Sequence, residues 1–153
     1  MTSLFTLLPD AVTTVRADTK QEILELLAAR FAAVYDLDAS EVLERLEERE
    51  KLGSTGFGRG AAIPHARVPG VTRPVAALLR LTDPVDFAAA DAMPVDLIFG
   101  LLSPENAGVA HLHALAAISR VVRDDRMRDS LLEARDADAL YALLANATDR
   151  DAA

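Results

Sequence analysis

Pro74-Val75-Ala76-Ala77-Leu78-Leu79-Arg80-Leu81 and Pro94-Val95-Asp96-Leu97-Ile98-Phe99-Gly100-Leu101 are two short apolar runs in the middle of the chain, each fenced by proline. Both read as buried strands, over Val75 to Leu81 and Val95 to Leu101. Short extended pieces near Thr13–Val15 and Ala61–Ile63 can join the same sheet. Before the runs, Ile23, Leu24, Leu27, Phe31 and Val34 keep a helical period, and Asp18 with Gln21 three residues on reads as a capping box. That predicts a helix over about Lys20 to Val34. The Asp38…Glu41 pair starts a second helix, about Ser40 to Leu52, whose apolar line of Val42 and Leu46 continues to Arg49. After the runs the chain is helical again, over about Val109 to Arg123, Asp125 to Ala134 and Asp138 to Asn146. Helices, then strands, then helices predict an α/β fold with a central sheet covered on both faces, an α/β/α sandwich.

The 153 residues suit one domain, and 51% of them are apolar, enough to build its core. Sixteen Lys and Arg against 24 Asp and Glu give a formal net charge of −8. That balance argues against nucleic acid, whose binding rests on cations neutralising phosphates. The absence of cysteine excludes disulfides, thiolate metal sites and cysteine nucleophiles. Met1 to Asp10 has no basic region ahead of an apolar one, and no run of about 18 apolar residues exists, so neither a signal peptide nor a membrane span is expected. The expectation is a soluble, cytoplasmic protein.

Three histidines are present. His65 follows Pro64, which fixes its own φ and holds Ile63 extended. On the residues alone, His65 is either a nucleophile or ligand held by stiff backbone, or a residue that finishes a strand. His111 heads the line of Leu115, Ile118 and Val122, whereas His113 leads to Ala117, Arg120 and Asp124, read as the solvated side. Spacing alone favours a satisfied core histidine at 111 and a surface residue at 113. Two residues apart on a helix, the pair does not share a face for a metal. Arg49, on its apolar line, either snorkels or lies beside an anion that its fork of donors fits.

Gly56-Phe57-Gly58-Arg59-Gly60 lacks the preceding strand and following helix of a dinucleotide loop, and no Gly-Lys-Ser/Thr exists. These glycines can still bring backbone N–H groups near an anion at His65.

The string Arg49-Glu50-Lys51-Leu52-Gly53-Ser54-Thr55-Gly56, then Gly58, Gly60 and Ala62-Ile63-Pro64-His65, resembles the signature of type-2 IIA domains. These are the fructose/mannitol class of the phosphoenolpyruvate-dependent phosphotransferase system. Pro94-Val95-Asp96-Leu97-Ile98-Phe99 and His111-Leu112-His113 also resemble that family in order and spacing, and the likeness runs from about Leu4 to Leu144. The Leu-Phe start, Gly-Ser-Thr-Gly and Asp138-Ala139-Leu140-Tyr141 resemble its nitrogen-regulatory branch.

The resemblance implies one IIA domain over residues 1–153, with a mixed central sheet of about five strands. It implies that His65 accepts a phosphoryl group at Nε2, with His111 and Arg49 beside it. Gly58 and Gly60, through backbone N–H groups, and Arg59 and Arg67, which depart from the family pattern by adding positive charge beside the site, are expected in phosphate binding or partner docking. Phe57, Val68 and Val71 are candidates for an apolar rim. Ala66 stands where the family often has glycine. The implied chemistry uses no metal and no cofactor. Its donor is an HPr-type nitrogen phosphocarrier, and its output is a set of regulatory targets or, as the alternative, a IIB domain of sugar uptake. The reaction needs a neutral His65 with bare Nε2, hence a hydrogen bond at Nδ1, most simply to a backbone carbonyl. Two other classes fit the residues: a metal hydrolase built on His65, His111 and Asp96, and a module that regulates by docking alone.

Overall fold

Among residues 4–152, which the computed structural model describes, the chain forms one mixed sheet with helices on both faces. Residues 1–3 and 153, included in the single-domain expectation, lie outside the described residues. The strands are β1 (Val12–Val15), β2 (Gly56–Gly58), β3 (Ala61–Ala62), β4 (His65–Val68), β5 (Val75–Val85) and β6 (Val95–Pro104). The helices are α1 (Lys20–Tyr35), α2 (Ala39–Lys51), α3 (Val109–Arg123), α4 (Asp125–Glu133) and α5 (Ala137–Ala152). The expected sandwich is what forms.

The sheet runs β1-β5-β6-β3-β2, with β4 also on β6. The two long apolar runs lie side by side as its antiparallel centre, Leu78 opposite Phe99 and Ala76 opposite Leu101. Alternation then sorts the side chains. Ala77, Leu79, Ile98 and Leu102 pack against Leu27 and Phe31 of α1 and Leu46 of α2. Ala76, Leu78, Leu97, Phe99 and Leu101 pack against Ile118 of α3, Leu131 of α4 and Leu140 of α5. Each fully buried Leu, Ile or Phe contributes roughly 1.5–3 kcal/mol of transfer free energy.

Both strands run on past the apolar residues to their second prolines. β5 passes through Pro84 to Val85, where its register with β6 shifts, the kind of irregularity that tolerates a residue without an N–H. Thr19 rather than Asp18 caps α1. Its extended backbone lets Oγ1 accept from Glu22 N at 3.1 Å, one residue nearer the helix than Asp18 stands. Asp38 caps α2 as expected, accepting from Ser40 and Glu41.

The edge beside β6 is served twice. β3 pairs in parallel with Leu97–Ile98, and β4 pairs in parallel with Leu101–Pro104. Between them the chain jogs at Ile63-Pro64.

Candidate functional site

That jog orients His65. The residue opens β4 rather than finishing a strand, and Pro64 is anchored through its carbonyl, which accepts from Leu101 N at 3.0 Å. The Ile63 carbonyl lies 2.7 Å from Nδ1 of His65. A carbonyl only accepts, so Nδ1 carries the proton and the neutral ring has its lone pair at Nε2. Arg49 Nε donates to that Nε2 at 3.3 Å. The tautomer needed for attack at Nε2 is therefore set by backbone.

His111 reaches the same place from the first turn of α3. Its ring centroid is 5.6 Å from that of His65, and the residue is 3% exposed. Its Nδ1 lies 2.6 Å from the Ser103 hydroxyl, so the ring is buried and satisfied, as a core histidine is, and at the same time adjacent to His65. Ser103 was invisible to the strand reading, which stopped at Leu101. The signal was there in the period of two, since Phe99, Leu101 and Ser103 share a face.

Both imidazoles resist protonation. Burial lowers the pKa of His65, and the positive Arg49 and Arg67 lower it further against the opposing Ile63 bond and Glu50. His111 is lowered to about 4, chiefly by burial, then by Arg67 and His65. Two neutral rings at physiological pH suit nucleophilic chemistry.

Arg49 comes from the end of α2, where the apolar line brings its half-buried stem under the cleft. Its Nη1 donates to the Gly53 carbonyl at 2.9 Å, which fixes the guanidinium beside His65. The cleft, about 430 Å³, is lined by His65, His111, Arg45, Arg49, Arg67, Glu48, Leu52, Ala66, Leu112 and Leu115. Arg45 is tied to the Arg67 carbonyl and to Glu105. With Arg49 on the imidazole and Arg67 beside it, such a cleft suits a phosphoryl group.

Other expected residues are placed elsewhere. Arg59 N donates to Asp91, and its guanidinium pairs with Asp125 and the Arg123 carbonyl. Gly58 faces Asp91, while a Cβ on Gly60, at φ +81°, would strike Arg128. Local pairing thus draws Gly58, Arg59 and Gly60 toward the start of α4, and they do not line the cleft. The apolar rim is corrected likewise. Val68 is buried, Val71 packs against the core and Phe57 lies under Arg123, whereas Leu52 and Leu112, 84% and 59% exposed, flank the cleft. Asp96 pairs with Arg128 at 3.3 Å, away from the two histidines of the metal reading. His113 is exposed as expected, although Ala117 on its line is buried. No helix among the described residues is long and apolar enough to cross a membrane.

Comparison with known proteins agrees with this geometry. The chain is 42% identical over 138 residues to the nitrogen regulatory protein of Bradyrhizobium diazoefficiens, covering 90% of each. It is 45% identical over 131 residues to that of Pseudomonas aeruginosa, covering 85% of each. The crystal structure of nitrogen regulatory protein IIA-Ntr from Neisseria meningitidis superposes with a TM-score of 0.84 at 37% identity, covering 90% of this chain and 95% of that one. A family model described as phosphoenolpyruvate-dependent sugar phosphotransferase system, EIIA 2, matches residues 7–147. With that match across the sheet, the cleft and all five helices, the chain belongs to the EIIA 2 family of the phosphotransferase system.

Proposed function

We propose that His65 accepts a phosphoryl group at Nε2 from an HPr-type phosphocarrier, and that the phosphorylation state of His65 is a regulatory signal of the nitrogen-regulatory kind. The observation that carries this is the Nδ1 bond to Ile63, which leaves Nε2 bare toward Arg49 and the cleft. In the transfer, the Nε2 lone pair forms the new N–P bond while the donor's N–P bond breaks and its imidazole leaves with the electron pair. Charge develops on the equatorial oxygens, where the Arg49 guanidinium and the cleft-facing nitrogen of His111 donate. The Arg49–His65 bond is long, near the weak limit for a hydrogen bond, so it yields readily to an arriving phosphoryl group. About two added negative charges then change which protein surface the site suits. On this reading the chain works in the cytoplasm as a phosphotransfer component, with Leu52 and Leu112 as the apolar contacts of the docked donor.

Incubation with phosphoenolpyruvate, enzyme I and the carrier tests the proposal. The chain gains acid-labile phosphate and a His65→Ala variant gains none; undiminished labelling of that variant overturns it. Transfer onward to a IIB domain would favour the sugar-uptake branch over the regulatory one.

A further inference from the structure

Glu50 stands beside Arg49 in the signature, yet it points away from the cleft, and its side chain is only 6% exposed. A carboxylate this buried is stable only when paired and hydrogen-bonded. Lys20 of α1 reaches it at 2.9 Å, and the same ammonium lies 4.6 Å from the centre of the Phe87 ring. On its other side Glu50 accepts from the backbone N–H of Thr55 at 3.0 Å and from the Thr55 hydroxyl. The Thr55 carbonyl in turn accepts from Ile63 N at 3.0 Å. Ile63 is the residue whose carbonyl holds Nδ1 of His65.

Resting on the assignment of His65 as phosphoryl acceptor, we propose that Glu50 is a positioning residue that sets the His65 tautomer through Thr55 and Ile63. Every direction in this chain is fixed. The carboxylate only accepts, so both Thr55 groups donate to it; the Thr55 carbonyl only accepts, so Ile63 N–H donates; and the Ile63 carbonyl only accepts, so Nδ1 is protonated. Ala62 and Pro64 tie the chain to β6 on either side of Ile63, but the Ile63 N–H rests on Thr55, in a segment whose glycines at 53, 56, 58 and 60 leave its own backbone permissive. Glu50 supplies the anchor from a helix, and Lys20 holds the anchor in place. Arg49 and Glu50 therefore act on opposite nitrogens of one ring from adjacent positions of α2.

The test separates this role from the acceptor assignment by reading the ring directly. ¹⁵N spectra of His65 in the wild-type chain show protonated Nδ1 and bare Nε2. In Glu50→Ala the spectra move toward a mixture of tautomers, and phosphoryl acceptance falls about a hundredfold, the scale of a 1 Å misplacement. Glu50→Gln keeps an acceptor for Thr55 and restores the tautomer and most of the rate. Lys20→Ala, which loosens the anchor but leaves its two Thr55 donors in place, shifts the tautomer less than Glu50→Ala does. Should Glu50→Ala fail to fold, Thr55→Val decides, since it removes only the hydroxyl bond and shifts the ring in the same direction. A folded Glu50→Ala, or Thr55→Val in its place, with an unchanged His65 tautomer overturns the proposal. Failure of the wild type to gain phosphate would overturn the acceptor assignment instead and leave the tautomer result standing.

Discussion

The fully buried hydroxyl of Ser103 lies 2.6 Å from Nδ1 of His111 and fixes that ring, whose centroid is 5.6 Å from that of His65. Ser103→Ala leaves a buried nitrogen without a partner, which costs about 1–3 kcal/mol. The urea midpoint falls accordingly, and phosphoryl acceptance slows while the affinity for the donor is kept. Unchanged stability and rate together would show that the contact does neither job.

The two lowered pKa values make a prediction about pH. Above about 6.5 both states of the chain carry neutral His111. As pH falls toward about 4, the unfolded chain binds a proton there that the native chain refuses. Stability therefore drops through this window, by up to the order of 3 kcal/mol from His111 alone. A His111→Gln variant loses less between pH 7 and pH 4.5 than the wild type in urea titrations; parallel curves would contradict the assignment. His65 is shifted in the same direction, so phosphoryl acceptance persists below the pH at which a free imidazole is mostly protonated.

Arg49 uses two parts of its fork, Nε on His65 and Nη1 on Gly53. Lysine offers one point charge and does not match both. Arg49→Ala slows acceptance by roughly a hundredfold or more, the scale for losing a donor to developing charge. Arg49→Lys recovers little of it in single-turnover labelling. A lysine variant with full activity would mean that charge alone suffices.

Gly100 sits in β6 beneath α1, where an added Cβ would stand 2.9 Å from Leu27 and from Phe31. Gly100→Ala overpacks this contact and costs about 1–3 kcal/mol by chemical denaturation. Paired with Leu27→Ala, which opens space at the same point, the loss is less than additive.

The parts of this fold that were legible are those with a period. Val75–Leu81, Val95–Leu101 and the three C-terminal helices carry their own pattern, and His111 was separated from His113 by spacing. The apolar line of α2 showed that the Arg49 stem is partly covered, but its place beside His65 came only from the family resemblance. What failed to show depended on partners distant in sequence. Arg59 reads as a cation beside the signature histidine, but Asp91 and Asp125 draw it elsewhere. Leu52 and Leu112 form the rim because two chain ends of helices meet there, which neither local sequence states. Glu50 stands in the signature string with no role that local sequence states, because its partners Lys20 and Thr55 come from α1 and the loop after α2.

The jog at Ile63-Pro64 has a consequence for the fate of the phosphoryl group. In an unbroken strand the Ile63 carbonyl would point sideways at a neighbouring strand; here it is turned onto the ring. A neutral carbonyl receives the Nδ1 proton as a hydrogen bond and does not remove it, as a carboxylate could. An imidazole that gained phosphorus at Nε2 would then stay cationic, and on N–P cleavage it would depart as a neutral ring, a good leaving group. On the proposed role of His65 as acceptor, one displaced rung of the sheet thus keeps the loaded ring ready to discharge, so the modification is reversible.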